Sequence, residues 1–314
     1  MVGYVVSPAD VPFPLRWHDL KRTIDAAAPA LIDRFFGPAA QAHGGLITRL
    51  VTEGKSARGC LCCLVCEALG GRVDDAVPRA VLLEIVQAAT LVHDDIVDGD
   101  SLRRGRAATW TVLGQRRTVL LGDLMFATAL MHAARSSHAD VSVLAEAIGR
   151  VAGGAWQEPM DAGELLAIGY PVPASLYEQV VHGKTGALFG AAGALGAIAA
   201  GAGDAQRTAA ERFATRVGEA YQMADDCTDL LGCVEVLHDT QKSAARNALA
   251  AHFGVDRDDA AALPGATLRA RLQDEIARRL RLARADVDRL AEGGAAALLH
   301  AAPAFIIGLQ LPPG

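Results

Sequence analysis

The chain has 314 residues and a formal net charge of −6; 51% of its residues are hydrophobic but only 5% are aromatic, because alanine dominates the apolar count. That length admits one large domain or two small ones, and an alanine-rich composition with Leu, Arg and Glu favours helices over sheet. No run of basic residues is present, which excludes the clustered positive face that nucleic-acid binding needs.

From the N-terminus, Met1 to Arg22 lack the basic start, apolar run and small-residue cleavage site of a signal peptide, so a cytoplasmic location is expected. Helical periodicity predicts Trp17–Phe36 and then Leu46–Leu69. The second of these holds Cys60, Cys62, Cys63 and Cys66, interleaved with Leu61, Leu64 and Val65. A zinc or iron–sulfur site needs a second ligand pair, and Cys227 and Cys233 supply no matching CxxC. These cysteines read as small core residues. Predicted helices follow over Arg79–Val97, Thr118–Ala134, Val141–Gly153, Pro173–Gly201, Ala205–Gly232, Ser243–Phe253 and Leu268–Ala291, with breaks at Gly70-Gly71, Gly99, Gly203-Asp204 and Pro264-Gly265. The uncharged stretch Gly186–Gly203 approaches membrane-spanning length. Its only large apolar residues are Leu188, Phe189, Leu195 and Ile198, so a close-packed buried helix is expected and no membrane span. With no solenoid repeat and no long polar linker, the expectation is an all-α fold, a single large helical bundle over residues 1–314 with its site in a central cavity.

Two carboxylate clusters carry the chemistry. Asp94-Asp95-Ile96-Val97-Asp98 and Asp225-Asp226-Cys227-Thr228-Asp229 repeat the pattern DDxxD, each after an otherwise apolar run. Positions i and i+4 share a helix face, so Asp94 and Asp98 point together, as do Asp225 and Asp229. Carboxylates crowded on one face repel and resist desolvation unless cations join them. Oxygen-only donors select hard ions, and Mg²⁺ commonly takes one or two carboxylates and completes its shell with substrate phosphates. A solvated acidic face explains one such cluster; two identical ones on apolar helices suit a diphosphate held between helices through bridging metals. His93, beside Asp94, reads as a structural histidine, since oxygen-liganded Mg²⁺ seldom uses imidazole.

The order LVHDDIVDGDSLRRG, LLGDLMFATAL, GKTGALF and YQMADDCTDL, spanning Lys55 to Asp229, resembles the trans-isoprenyl diphosphate synthase (polyprenyl synthetase) family. The resemblance implies an isoprenoid synthase fold in which the clusters face each other across a deep cavity and bind three Mg²⁺. Asp94, Asp95, Asp98, Asp225, Asp226 and Asp229 are then the metal set, with Asp95 and Asp226 supporting, and Asp94, Asp98, Lys184 and Asp225 carry the catalytic roles. Arg103 falls to the allylic diphosphate and Arg104 to isopentenyl diphosphate; planar guanidinium forks suit phosphate oxygens. Lys184 and Thr185 match the family's Lys-Thr, Gln222 its glutamine before the second cluster, and Gln87 its His/Gln at the isopentenyl site. The family's GGKRxRP appears as Glu53-Gly54-Lys55-Ser56-Ala57-Arg58-Gly59, keeping Lys55 and Arg58 in register but not the middle Arg or the Pro. After Asp229 the usual Gly-Lys is missing, with Lys242 or Arg246 as alternative replacements. A homodimer is implied as well. Ala89 and Thr90, small where the family sets its tunnel floor, with Leu91 and Val86 nearby, imply a product of C20 or longer.

Two rival readings remain. A class I terpene cyclase would carry an Asn/Asp, Ser/Thr, Glu triad at four-residue spacing, where this chain has Asp225, Asp229 and Cys233. A weakly active regulatory subunit tends to lose aspartates, and here both clusters are intact.

Overall fold

The computed structural model describes residues 12–158, 175–232, 252–253 and 265–310. Helix α1 (Phe13–Phe36) carries Pro14 in its first turn, where a missing N–H costs nothing, and stops at Gly37. It buries Trp17, Leu20, Ile24, Ala28, Ile32 and Phe35 at three- and four-residue spacing. Each of the larger of these side chains, removed from water, contributes about 1.5–3 kcal/mol.

The expected helix Leu46–Leu69 is in fact two, α2 (Pro38–Thr52) and α3 (Ala57–Ala68). The break contains Gly54, and Ser56 sits in the left-handed region at φ 49°. Side chains that one continuous helix would fan out along its axis are thereby turned towards a single cavity. In α3 the cysteines Cys60, Cys62, Cys63 and Cys66 are free and wholly buried, as small core residues. Burial pushes the Cys66 thiol up to about 11, which keeps it neutral.

Helix α4 (Val73–Val97) starts earlier than predicted and ends at the first aspartate cluster. The hairpin β1 (Leu102–Arg103) and β2 (Arg106–Ala107) has no counterpart among the predicted elements. Arg103 pairs with Arg106, leaving Arg104 and Gly105 as a two-residue turn with φ 53° and 73°. Two positive values mark the type I′ turn, whose twist matches the strands. Helices α5 (Thr109–Leu113), α6 (Gln115–Ser136) and α7 (His138–Gln157) follow, with the Ser137 hydroxyl capping α7 by accepting the Asp140 N–H at 3.0 Å.

The predicted helix Pro173–Gly201 is described from Leu176 as α8 (Leu176–Val180), one π-helical turn (Val181–Gly186) and α9 (Ala187–Ala199). Helix α9 packs against α3, α4, α7 and α10 (Asp204–Gly232), and its glycines make that approach possible. A Cβ at Gly193 would lie 2.2 Å from the Ala210 carbonyl oxygen, and one at Gly196 2.4 Å from that of Cys62. The uncharged stretch is thus the buried centre of the bundle. Among the described residues no helix is long and apolar enough to cross a membrane. Helix α11 (Gly265–Leu290) pairs along α10, and α12 (Gly293–Gly308), absent from the predicted elements, closes against α3 and α11. The predicted helix Ser243–Phe253 lies outside the described residues except for His252 and Phe253, as do Lys242, Arg246 and Cys233.

Candidate active site

An open cavity of about 390 Å³ is lined by residues from both aspartate helices, the α2–α3 break, the hairpin and the π turn. It brings together Lys55, Arg58, Gln87, Thr90, Asp94, Arg103, Arg104, Lys184, Thr185, Gln222 and Asp225. These come from distant stretches of chain, each delivered by a local device already described.

On the α4 wall, Asp94 and Asp98 have their carboxyl pKa values raised, chiefly by burial, against the opposing pull of Lys184. Burial works against the Lys184 charge too, but Glu158, Asp94 and Asp98 outweigh it and raise its pKa. Lys184 Nζ donates to Glu158 Oε2 at 2.5 Å. Glu158 thus holds the ammonium directly, and Asp94 and Asp98 act on it through their charge. A π turn carries Lys184 and Thr185 here; such turns widen a helix locally and recur at functional sites.

Asp95 has a different placement. It is 3% exposed, lines a smaller adjacent pocket with Arg103 and Arg104, and accepts Arg103 Nε at 2.6 Å. Sitting between Asp94 and Asp98 in sequence, it lies off their shared face, and here it anchors the arginine of the hairpin. His93 Nε2 lies 3.0 Å from the Val119 carbonyl oxygen and its ring stands edge-on to Phe126 at 5.7 Å, as a packed structural histidine.

The α2–α3 break supplies two cations. Burial lowers the pKa of both Lys55 and Arg58. The Arg58 guanidinium lies over the Phe189 ring at 4.7 Å, and its Nε has no hydrogen-bond partner among the described residues. A buried donor left in that state favours an arriving anion. Lys55 Nζ donates to the Leu309 carbonyl oxygen at 2.5 Å and to the Gln310 side chain, so the end of α12 covers this side. The Arg104 guanidinium rests against Gly54, within 3.0 Å of where a Cβ would stand.

On the α10 wall, Asp225 lines the cavity. Gln222 Oε1 accepts Thr185 Oγ1 at 2.8 Å, and Gln222 Nε2 donates to Asp226 Oδ1 at 3.0 Å. The side chain of Asp229 lies outside the described residues.

Sequence reasoning missed Glu84, Tyr177, Glu158, Tyr221 and Gln310. Glu84, 5% exposed, accepts the Gly59 N–H at 2.7 Å beneath Arg58. A lone acid in the apolar run Ala80–Val86 was its signal. The other four owe their places to partners far along the chain and carry no local mark.

Comparison with known proteins bears on family and fold. Residues 43–246 match the profile of the family described as polyprenyl synthetase. A geranylgeranyl diphosphate synthase of Mycobacterium tuberculosis is 38% identical over 183 residues, 58% of this chain and 52% of that protein. An octaprenyl diphosphate synthase of Haemophilus influenzae is 31% identical over 177 residues, covering 56% of this chain and 52% of that one. The matched part of the chain therefore spans about half the length of these curated relatives. Among solved structures, a polyprenyl synthase from Caulobacter crescentus with calcium and isoprenyl diphosphate superposes with TM-score 0.72 at 23% identity, over 93% of this chain and 96% of that one.

Proposed function

Since this chain belongs to the polyprenyl synthetase family, we propose that it joins isopentenyl diphosphate to an allylic diphosphate and extends a trans-prenyl chain to C20 or longer. One observation carries the reading: a single cavity is lined by five cationic side chains, Lys55, Arg58, Arg103, Arg104 and Lys184, together with Asp94 and Asp225, enough cations for two groups. Two diphosphates need two such groups, whereas a cyclase acting on one substrate has no use for the second.

The donor set fits Mg²⁺. Asp94 and Asp98 on one wall and Asp225 on the other offer only hard oxygens, and burial disfavours the charged form of the first two, a cost that a cation relieves. When bound, magnesium acts as a Lewis acid on the leaving diphosphate. Lys184 and Arg103 orient that diphosphate so that the allylic C–O bond ionises. Arg58, Arg104 and Lys55 hold isopentenyl diphosphate with its double bond against the allylic cation. Proton loss to the released diphosphate completes the step, and the low-dielectric walls strengthen each of these contacts.

In this reading the active form is a homodimer. Leu120 and Met131 on α6 are 56% and 43% exposed, Val112 on α5 is 70% and Leu102 on the hairpin 65%. Large apolar side chains left uncovered in this part of the chain favour a second copy as their cover.

The test is incubation with labelled isopentenyl diphosphate and C5, C10 or C15 allylic primers, read by mass. Elongated diphosphates of C20 or more are expected. A cyclic hydrocarbon formed from primer alone, with isopentenyl diphosphate never consumed, would establish the cyclase instead.

A further inference from the structure

The two carboxylates that open the second cluster face different surroundings. Asp225 lines the cavity. Asp226, one residue on, is turned by about 100° around α10 and faces α8. There its Oδ2 accepts the Tyr177 hydroxyl at 2.6 Å, while its Oδ1 accepts Gln222 Nε2 at 3.0 Å. Gln222 in turn accepts Thr185 Oγ1 at 2.8 Å. Tyr177 lies on α8 and Thr185 on the π turn that continues it, so the three bonds and the intervening chain close a ring. That ring clamps the turn bearing Lys184 onto the helix bearing Asp225.

Tyr177 is 8% exposed and packs in a small apolar cluster with Val181, Met223, Cys227 and Leu272, outside the cavity. Burial and the neighbouring Asp226 carboxylate raise its pKa, so the hydroxyl stays a proton donor through neutral pH. A carboxylate that accepts a buried hydroxyl and a side-chain amide is a strong, directional anchor.

We infer that Asp226 is a positioning residue, anchored by Tyr177, that sets Gln222 and the Lys184–Thr185 turn for the allylic diphosphate and does not itself ligate metal. The inference rests on the prenyltransferase reading above and departs from the expectation that all three aspartates of the second cluster serve the metals. Its physical basis is direction: Asp225 lines the cavity, and among the described residues Asp226 is joined to the cavity lining through Gln222.

Substitutions separate the two roles. Asp226→Asn removes the charge but keeps the ring, because the Tyr177 hydroxyl can turn and accept from the new amide. Asp226→Ala and Tyr177→Phe open it. Magnesium binding would be measured by calorimetry in the presence of an uncleavable allylic thiolodiphosphate, with steady-state KM values for both substrates. Tyr177→Phe and Asp226→Ala should raise KM for the allylic diphosphate about fivefold or more and leave that for isopentenyl diphosphate within about twofold. Asp226→Asn should keep the metal dissociation constant within about twofold of the parent, while Asp225→Asn weakens it by about tenfold or more. Metal binding weakened as much by Asp226→Asn as by Asp225→Asn would overturn the inference. So would a Tyr177→Phe enzyme with unchanged KM for the allylic substrate. Should Asp225→Asn also leave metal binding intact while Tyr177→Phe still raises the allylic KM, the inference stands and the metal assignment falls.

Discussion

Replacing Gly154 by alanine tests how closely α7 holds the π turn that carries Lys184. A Cβ there would lie 2.6 Å from the Lys184 amide nitrogen, 2.9 Å from the Gly183 carbonyl carbon and 3.0 Å from Gly183 Cα. All three are main-chain atoms, so no change of rotamer relieves the contact. Ordinary carbon contacts lie near ~3.5–4 Å, and helix and turn must part by roughly 1 Å. Overpacking of this kind costs about 1–3 kcal/mol. Alanine in place of glycine inside a helix returns about 0.5–1 kcal/mol. At the neighbouring Gly153, also within α7, a Cβ would meet nothing within 4 Å, and this position serves as the control. Gly153→Ala should stabilise the protein by that helix term alone. The difference between the variants then cancels the helix term and leaves the clash, about 1–3 kcal/mol. Urea unfolding followed by far-UV circular dichroism measures it. The displaced turn carries Lys184 and Thr185, so kcat/KM for the allylic substrate should fall by ~10–100-fold in Gly154→Ala and hold in Gly153→Ala. If Gly154→Ala were as stable and as active as Gly153→Ala, the turn would not be held by this contact.

The remaining expectations concern the substrates and metals. Asp94→Ala or Asp225→Ala should lower kcat by at least ~10³, about 4 kcal/mol of transition-state stabilisation, and chelation should abolish activity until Mg²⁺ is restored; full turnover in excess chelator refutes this. Arg58→Ala and Arg104→Ala should raise KM for isopentenyl diphosphate more than for the allylic primer, as two-substrate kinetics will show. Of the two small residues before the first cluster, Thr90 lines the cavity and Ala89 is wholly buried in the core. Thr90→Phe should therefore shorten the product by one or more isoprene units on mass analysis, while Ala89→Phe should mainly cost about 1–3 kcal/mol of stability in urea unfolding.

Much of the fold was legible because it depends on local periodicity. Apolar spacing along α1, α4, α6 and α10 marks their buried faces, and the small residues of α9 mark a helix that neighbours approach closely. The first aspartate cluster was legible for the same reason, since i, i+4 spacing puts Asp94 beside Asp98 on α4. The break at Gly54–Ser56 was not, because one glycine within a helical pattern is ordinarily tolerated and only packing decides whether the chain turns there. The π turn at Val181–Gly186 has no sequence signature, and α12, for all its apolar run, has no counterpart among the predicted helices.

The division follows from the range of the forces involved. Helix content, the buried cysteines and the pairing of carboxylates along a face follow from interactions a few residues apart, and the amino-acid order by itself determined them. Which carboxylate faces the cavity, which arginine it holds and which tyrosine holds it depend on atoms many residues distant. Asp95 bound to Arg103, Lys184 bound to Glu158 and Asp226 bound to Tyr177 are hydrogen bonds that exist only once the helices have packed, so tertiary structure alone decided them.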